Sequence, residues 1–436
     1  MKNKTKIQAK IQAGDKIKIF VDGKIYEGIL IPGDKKFLVL KLASGYNLGF
    51  ERRRIKKIEL IAKRFAKPKV LAEEKFVPNL PTITILHTGG TIASAVDYET
   101  GGVIARFSPQ ELIQMFPEVK EIANIKSRLI ANMFSEDMRI AHYNLLAKEI
   151  LKEIDAGVDG VIVTHGTDTL HYTAAALSFA FQNLPIPIIL VGAQRSSDRG
   201  SSDAAMNLIC ALNFIAKTNF AGVAICMHAS SSDEASYILP ATKTRKMHSC
   251  RRDAFKAINA SPIAKVNYTT REIEFLIRDW PKKSEKKPKF FPFNEKIKVG
   301  LIKCHPNMFV EQFKTYEKFD GLVIEGFGLG HAPINEIDAF TKEHAKIAQE
   351  IKKLAKKIPV VVTSQTINGP INMEVYSTGR KLISFGVLGN YCDLTPETAF
   401  IKLAWLLSNF PKSQIPKLFK KNFVGELAEQ QRYDYY

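Results

Sequence analysis

Hydrophobic residues alternate with polar ones over roughly the first 60 positions of the chain, which is the pattern of half-buried β-strands. Turn sequences such as Asp22-Gly23 and Ser44-Gly45 separate the alternating segments. The predicted strands lie at residues 16–20, 25–30, 37–42 and 46–50. Because several short strands within about 50 residues are typical of small barrels, we predict an all-β, SH3-like barrel.

The pattern changes at residue 82, where nearly continuous apolar segments begin to alternate with amphipathic ones. Predicted strands lie at 82–86, 158–163, 186–191, 222–226, 299–302, 322–324 and 360–362. Predicted helices lie at 140–154, 173–181, 203–216, 335–354 and 396–407. Apolar strands are expected where helices cover both faces of a sheet, and strand–helix alternation favours parallel pairing. We therefore predict an α/β fold with a doubly wound parallel sheet.

Two polar, proline-containing segments divide the chain. Residues 63–81 carry mixed charge and three prolines, and residues 281–289 form a charged run bounded by Pro281 and Pro288. Such segments are typical of solvated linkers. We predict a β-barrel with its linker at 1–78, an α/β domain at 79–285 and a smaller α/β domain at 290–425.

Composition limits the class of protein. The chain has 436 residues, of which 45% are hydrophobic, and its apolar runs are too short to cross a bilayer. Its first residues are polar and lysine-rich, unlike a secretory signal. The five cysteines and nine histidines show no metal-ligand spacing. We therefore expect a cytoplasmic protein with reduced thiols, without a membrane segment and without a metal site.

The net charge of +19 is concentrated near the N-terminus. Residues 1–80 contain 20 lysines and arginines against eight acidic residues, a balance of +12, with a cluster at 52–57. Basic clusters attract polyanions such as nucleic acids. A highly charged surface also serves solubility, and the charge alone does not decide between these interpretations.

Candidate chemistry lies where two predicted strands end. One strand is followed by Thr88-Gly89-Gly90-Thr91, and another by Thr164-His165-Gly166-Thr167-Asp168. Since parallel strands present their carboxyl ends at one ligand-binding edge, the hydroxyls of Thr91 and Thr167 can converge there. The glycines, Gly90 among them, would let backbone N–H groups approach a substrate carbonyl. A cap on the following helix is an equally good interpretation of Thr167 and Asp168.

A threonine hydroxyl needs a base before it can act as a nucleophile. Asp168 is adjacent, but a carboxylate is normally too weak a base for an alcohol. A lysine of lowered pKa, held in place by Asp168, could act instead. The segment 243–248 offers Lys243 and Lys246, and composition does not choose between them.

Three segments, at 87–94, 164–170 and 191–195, resemble the signatures of the bacterial-type L-asparaginase/glutaminase family, and the resemblance extends from residue 82 to about 410. Lys246 stands nine residues before Phe255, the offset of the family's catalytic lysine. The resemblance therefore implies a Thr167–Asp168–Lys246 relay and an acyl-enzyme on a threonine, with Thr91 as the favoured nucleophile. It leaves open which threonine acts in each half-reaction.

The same resemblance implies further site residues. Tyr98 matches a tyrosine that assists Thr91, and Ser135 and Glu136 match positions that bind the α-carboxylate and α-amino groups of the substrate. Glu136 departs from the family, which commonly has glutamine there. The family builds its pocket between subunits, which implies at least a homodimer.

A barrel ahead of such a unit resembles one branch of this family, the D subunits of archaeal glutamyl-tRNA(Gln) amidotransferases. Further similar segments lie at 45–49, 195–199, 251–255, 372–380 and 396–399. Gly200 stands where that branch usually has proline. The resemblance covers nearly the whole chain.

This branch implies a glutaminase subunit that releases ammonia from glutamine or asparagine. A partner E subunit would use the ammonia, with ATP and Mg²⁺, to convert Glu-tRNA(Gln) into Gln-tRNA(Gln), in a heterotetramer of two D and two E subunits. This chain would hold no cofactor, and it has no Gly-x-x-x-x-Gly-Lys-Ser/Thr loop. The alternatives are a stand-alone cytoplasmic L-asparaginase and a non-enzymatic scaffold that binds nucleic acid through the barrel.

Overall fold

The computed structural model describes residues 11–33, 36–42, 47–63, 76–90, 116–195 and 201–428, together with the backbone of 94–96 and 103–105. Its N-terminal strands are β1 (Lys16–Val21), β2 (Lys24–Ile31), β3 (Phe37–Lys41), β4 (Asn47–Glu51) and β5 (Ile55–Ala62). They form one antiparallel sheet in the order β4-β3-β2-β1-β5.

The four predicted N-terminal strands are confirmed, and β5 was missed. Alternating residues of β1 and β3, such as Ile17, Ile19 and Leu40, are fully buried and form a small core. The lysines of β5, Lys56 and Lys57, are exposed, so this strand lacks the apolar alternation that identifies the others. Part of the basic cluster is neutralised locally, since Arg54 pairs with Asp22.

The central unit contains fourteen described strands and three described helices. The strands are β6 (Thr82–His87), β7 (Ser94–Val96), β8 (Val103–Ala105), β9 (Asn124–Leu129), β10 (Gly160–Thr164), β11 (Phe181–Gln182), β12 (Pro187–Val191), β13 (Gly222–His228), β14 (Ala235–Pro240), β15 (Thr244–Lys246), β16 (Phe255–Ala257), β17 (Ala264–Asn267), β18 (Ile273–Phe275) and β19 (Lys289–Phe290). The helices are α1 (Ile140–Asp155), α2 (Leu170–Ala180) and α3 (Ala204–Lys217).

Eight of these strands form the main sheet, in the order β18-β17-β14-β13-β12-β10-β6-β9. The five strands from β13 to β9 in this order are parallel. Successive residues of β10 enter different cores: Ile162 packs with α3, whereas Val161 and Val163 pack with α1 and α2. Helices thus cover both faces of the sheet, which confirms the doubly wound α/β fold and explains the unbroken apolar strands.

The expectation of an entirely parallel sheet is corrected at one edge. Strands β14, β17 and β18 are antiparallel to their neighbours. Only six residues, 229–234, connect β13 to β14. A connection this short cannot contain the crossover helix that a parallel pair requires, so the chain turns back on itself.

The C-terminal unit is a parallel three-stranded sheet covered by helices. Its elements are β20 (Val299–Lys303), α4 (Val310–Lys314), β21 (Gly321–Gly326), α5 (Lys342–Lys357), β22 (Val360–Ser364), α6 (Ser377–Phe385), α7 (Pro396–Asn409) and α8 (Ile415–Phe419). Helix α7 packs against α2, where the rings of Phe179 and Trp405 stack with centroids 5.5 Å apart. The two α/β units therefore share a hydrophobic core.

The helix predicted at 335–354 begins later than expected. Helix α5 starts at Lys342, after a short 3₁₀ turn, Ala339–Thr341. The Asp338 carboxylate accepts hydrogen bonds from the backbone N–H groups of Phe340 and Thr341, each 3.0 Å long. A side-chain cap of this kind marks a helix start that hydrophobic periodicity does not reveal.

The charged run at 281–289 is exposed over most of its length, and hydrogen bonds attach it to the central unit. Ala221 N–H donates to the Pro281 carbonyl over 2.7 Å, and Lys283 N–H donates to the Asn219 carbonyl over 2.7 Å. At its end, β19 pairs with β11. This linker is therefore held along its path.

All five cysteines are free, and only Cys250 is exposed. Within the described parts of the chain, no group of His, Cys, Asp or Glu side chains is arranged to hold a metal ion. Over the same residues, no helix combines the length and apolarity needed to span a membrane.

Candidate active site

Two turns meet at the carboxyl edge of the main sheet. Strands β6 and β10 are parallel neighbours in which His87 stands opposite Thr164. Beyond them, Thr88 N–H donates to the Thr164 carbonyl over 3.1 Å, and the Thr88 hydroxyl donates to the same oxygen over 3.0 Å. The threonine-bearing turns predicted from sequence therefore lie side by side.

Glycine is required where these turns touch. Gly90 has a positive φ of +83°, and a Cβ atom there would lie 2.8 Å from the backbone nitrogen of Gly166. At Gly166, a Cβ atom would lie 2.8 Å from that of Ser135. A Cβ atom would not fit at either position, so glycine allows the three segments to pack this closely.

Thr167, Asp168 and Lys246 form a hydrogen-bonded cluster beside this contact. The Lys246 ammonium donates to the Thr167 hydroxyl over 2.8 Å and to an Asp168 carboxylate oxygen over 2.9 Å. The Lys246 side chain is 11% exposed, whereas that of Asp168 is 65% exposed. Residues separated by almost 80 positions in sequence thus meet, as the relay hypothesis requires.

The structure separates the two lysines that composition left equivalent. Lys246 ends β15, which pairs with β16 so that Lys246 stands opposite Phe255. Lys243 is directed elsewhere and forms a buried ion pair with Asp393 of the C-terminal unit. Desolvation is the larger influence on Lys243 and lowers its pKa, although Asp393 acts in the opposite direction. Of the two, Lys246 is the lysine that contacts Thr167.

The predicted substrate-binding residues lie beside the same turns. Ser135 is buried against Gly166, and its carbonyl accepts a 2.6 Å hydrogen bond from the Thr169 hydroxyl. Glu136 follows it on a short 3₁₀ turn, Ser135–Asp137, and is exposed. Thr169 fixes this turn, a contribution that was not predicted from the sequence.

Thr91 and Tyr98 lie outside the described residues, so their roles remain predictions. Gly90, which immediately precedes Thr91, is the last described residue of the first turn.

Two histidines of the sequence signatures are buried supports for the turns. His165 shares hydrogen bonds with the Gly166 carbonyl (2.7 Å) and the Thr173 hydroxyl (2.8 Å), and burial lowers its pKa to about 4. His87 shares a 2.8 Å hydrogen bond with the Thr164 hydroxyl, and burial lowers its pKa to about 3. Both rings are neutral at pH 7 and hold hydroxyl or carbonyl groups in place.

A third turn, which follows β12, also lies at the carboxyl edge of the main sheet. A Cβ atom at Gly192 would lie 2.9 Å from the methyl carbon of Thr167, so the backbone of this turn packs closely against the Thr167 side chain. The fully buried Asp203 carboxylate then accepts from the N–H groups of Gln194 (3.0 Å) and Arg195 (2.9 Å). Asp203 was not predicted as a site residue. An aspartate just before a helix suggests a cap, but this carboxylate does not cap α3 and binds the turn instead.

Chemically, the cluster joins a hydroxyl to an amine that can exchange a proton with it, beside a carboxylate that holds the amine. The glycine turns beside it carry backbone N–H groups, the kind of donor that stabilises a developing oxyanion. This arrangement is suited to acyl transfer from an amide.

Family models match three consecutive parts of the chain. They are the GatD N-terminal domain at residues 11–61, the asparaginase N-terminal domain at 82–279 and the glutaminase/asparaginase C-terminal domain at 298–419. The candidate site described above lies within the second match.

Curated relatives and solved structures agree with these matches. The D subunit of glutamyl-tRNA(Gln) amidotransferase from Pyrococcus abyssi is 43% identical, over 98% of this chain and 97% of its own length. The Methanococcus maripaludis protein of the same name is 42% identical, over 95% and 98%. The thermostable L-asparaginase from Thermococcus kodakarensis is 30% identical with a TM-score of 0.69, over 80% of this chain and all of its own. Identity at this level over almost the entire length places this chain in the family of glutamyl-tRNA(Gln) amidotransferase D subunits.

Proposed function

We propose that this chain hydrolyses the side-chain amide of glutamine and supplies the ammonia for conversion of Glu-tRNA(Gln) into Gln-tRNA(Gln). The observation that carries the proposal is the contact of the Lys246 ammonium with both Thr167 and Asp168. The family matches support it, because curated relatives across nearly the full length are named as amidotransferase subunits.

In the proposed reaction, Thr91 is the favoured nucleophile and attacks the amide carbon. Its hydroxyl proton passes to Tyr98 or to the relay, and the oxyanion is stabilised by backbone N–H groups. The carbon–nitrogen bond then breaks, and the nitrogen takes up a proton and leaves as ammonia. The remaining product is an ester between the threonine and the glutamyl group.

Water completes the cycle. The Thr167 hydroxyl would take a proton from the attacking water and pass its own to the neutral amine of Lys246. The ester would then break to give glutamate, and the threonine oxygen would take up a proton as it leaves. In this scheme Asp168 does not accept the proton, since it holds the lysine in place. The scheme also works with the two threonines exchanged between the half-reactions.

The proposed substrate contacts follow from charge. The exposed Glu136 carboxylate is suited to the α-ammonium group of the substrate, and Ser135 to its α-carboxylate. Gly90 would place a backbone N–H group near the reacting carbonyl. Asparagine offers the same groups on a chain one methylene shorter, so both amides are candidate substrates.

The proposed setting is a cytoplasmic complex. Ammonia lost to solvent cannot serve synthesis, so a partner, the E subunit, would receive it and activate Glu-tRNA(Gln) with ATP and Mg²⁺. We propose two D and two E subunits around a homodimer of this chain, which itself would bind no cofactor. The basic N-terminal sheet would contact either the tRNA or the partner.

A stand-alone L-asparaginase is the second candidate, favoured by the structural similarity to the Thermococcus kodakarensis L-asparaginase. That similarity covers 80% of the chain, and the separate match at 11–61 to the GatD N-terminal domain favours the amidotransferase.

The test is purification of the full chain from its native cell, followed by measurement of ammonia release from glutamine and asparagine. We expect co-purification of a second subunit and glutaminase activity that rises when that assembly receives Glu-tRNA(Gln). Rapid asparagine turnover by the isolated chain, independent of tRNA, would support the second candidate instead.

A further inference from the structure

Three cations within residues 243–246, here called the 243–246 segment, each pair with an acidic side chain that is distant in sequence. Lys243 pairs with Asp393, Arg245 pairs with Glu397 at 3.1 Å, and Lys246 pairs with Asp168 at 2.9 Å. Two of these acids belong to the C-terminal unit, around the start of α7, and the third belongs to the candidate active site. The segment therefore connects the C-terminal unit to the relay.

The Lys243–Asp393 pair is the buried anchor of this connection. The exposed fractions of the two side chains are 2% and 7%. The backbone at Asp393 is tied as well, since its carbonyl accepts a 3.1 Å hydrogen bond from the Asn259 side chain. The second carboxylate oxygen of Asp393 accepts from Ala428 N–H at 3.2 Å. Asp393 thus joins three separate parts of the chain.

The segment is also tied to the main sheet, because the carbonyl of Pro240, the last residue of β14, accepts hydrogen bonds from Lys243 N–H (3.2 Å) and from the Thr244 hydroxyl (2.6 Å). Among the described strands, β15 pairs only with β16 and lies outside the eight-stranded sheet. Just before it, the Thr242 carbonyl accepts a 2.8 Å hydrogen bond from Thr398 of α7. The position of Lys246 therefore depends on side chains of the C-terminal unit as well as on the main sheet.

Small displacements matter at such a site. Each residue of a strand extends the chain by about 3.3 Å, so Lys243, which lies three residues before Lys246, is within about 10 Å of it along the chain. A shift of about 1 Å in a reacting group can reduce turnover about 100-fold. Loss of the anchor would move the ammonium away from Thr167 without touching any group that binds substrate.

We propose that Asp393 is a positioning residue, which fixes the Lys246 ammonium against Thr167 by holding Lys243. This inference rests on the proposed role of Lys246 in amide hydrolysis. It makes turnover dependent on the docking of the C-terminal unit, although no residue of that unit belongs to the proposed relay.

The test compares two carboxylate-to-amide substitutions in buried ion pairs. Asp393→Asn removes the anchor. Glu426→Gln is the matched control, because Glu426 and Lys402 form a fully buried pair at 2.7 Å. The charge of Glu426 acts on Lys243, but among the described residues it forms its ion pair with Lys402 and not with the 243–246 segment. Both variants remove one negative charge from the C-terminal unit, and both are expected to lower the unfolding temperature.

The readouts are kcat and KM for ammonia release from glutamine, measured well below each unfolding temperature, in the assembly in which the wild-type chain is active. We expect Asp393→Asn to lower kcat at least about tenfold with KM within about twofold, as a misplaced relay requires. Asp393→Glu should recover part of kcat, and Glu426→Gln should keep it. Wild-type kcat in Asp393→Asn, or an equal loss in the control, would overturn the proposal.

A double variant covers the case in which Asp393→Asn does not fold. Replacing both partners of a buried pair by apolar side chains is often tolerated, so Lys243→Met/Asp393→Leu should fold and show the same loss of kcat. Wild-type kcat in this variant would also overturn the inference. Lys246→Ala tests the proposed function separately. If Lys246→Ala abolishes turnover while Asp393→Asn keeps it, the positioning role of Asp393 is refuted and the proposed function is not.

Discussion

Replacing Thr167 by valine removes a hydroxyl group from the relay and leaves its shape. The lost oxygen accepts the 2.8 Å hydrogen bond from Lys246, whereas the retained methyl group keeps its place beside Gly192. Lys246 keeps its 2.9 Å contact with Asp168, so its ammonium is not left without a partner. The substitution therefore tests chemistry with little disturbance of packing.

The expected magnitudes differ for activity and stability. Loss of positioned proton transfer lowers turnover by about 10²–10⁴-fold, or about 3–5 kcal/mol in the activation barrier. A single intramolecular hydrogen bond contributes about 1 kcal/mol to stability on average. Since Thr167 is only half-buried, we expect its replacement to lower the free energy of unfolding by less than that.

Thr173→Val is the matched control. Its buried hydroxyl shares a 2.8 Å hydrogen bond with His165, away from Lys246. Its removal should destabilise the fold by about 1–3 kcal/mol, since it leaves a buried ring nitrogen without a partner, and should preserve kcat. The assays are steady-state ammonia release and denaturant unfolding. Near-wild-type kcat in Thr167→Val would refute the relay.

Three further predictions concern the turns, the buried histidines and the substrate contact. Gly90→Ala should disrupt the site and abolish turnover, because the added Cβ atom would collide with the backbone of Gly166. The control is Gly157→Ala, at a similar φ but with no atom nearby, which should lower the free energy of unfolding by about 1–2 kcal/mol and leave the enzyme active. Equal effects of the two substitutions in unfolding and activity assays would contradict this. His165 and His87 have pKa values lowered to about 4 and about 3, so the unfolded state binds more protons below pH 6.5. Stability should therefore fall as pH decreases from 6.5 towards 4, by about 1.4 kcal/mol per pH unit for each histidine; denaturant titrations whose midpoint does not change over this range would exclude it. Glu136→Gln should raise KM for glutamine about threefold or more with unchanged kcat, through loss of a charge-assisted contact; an unchanged KM would remove Glu136 from the binding site.

The strands at the centre of the fold were predictable because their sequence carries a strong signal. Segments such as 186–191 and 222–226 are apolar throughout or nearly so, as burial on both faces requires. Several of the strands that were missed lack this signal. β5 carries exposed lysines, and β15 and β16 are three residues long. Their positions depend on partners distant in the sequence.

The candidate site likewise contains features that could be predicted from the sequence and features that could not. Each turn motif could be read locally, and the parallel pairing of β6 with β10 brings the turns together as expected. The choice of Lys246 over Lys243 was not available from the residues alone and came from a family offset. The physical reason for this choice is that Lys243 pairs with Asp393, which lies 150 positions away in the sequence. No local pattern encodes that contact.

The central claim is that a threonine of these paired turns attacks a carboxamide. It is tested most directly by incubating the active assembly with a diazoketone analogue of glutamine and locating the covalent adduct by peptide mass spectrometry. We predict an adduct on Thr91 or Thr167, abolished by competing glutamine. An adduct on any other residue, such as the exposed Cys250, formed in proportion to loss of activity, would contradict the claim.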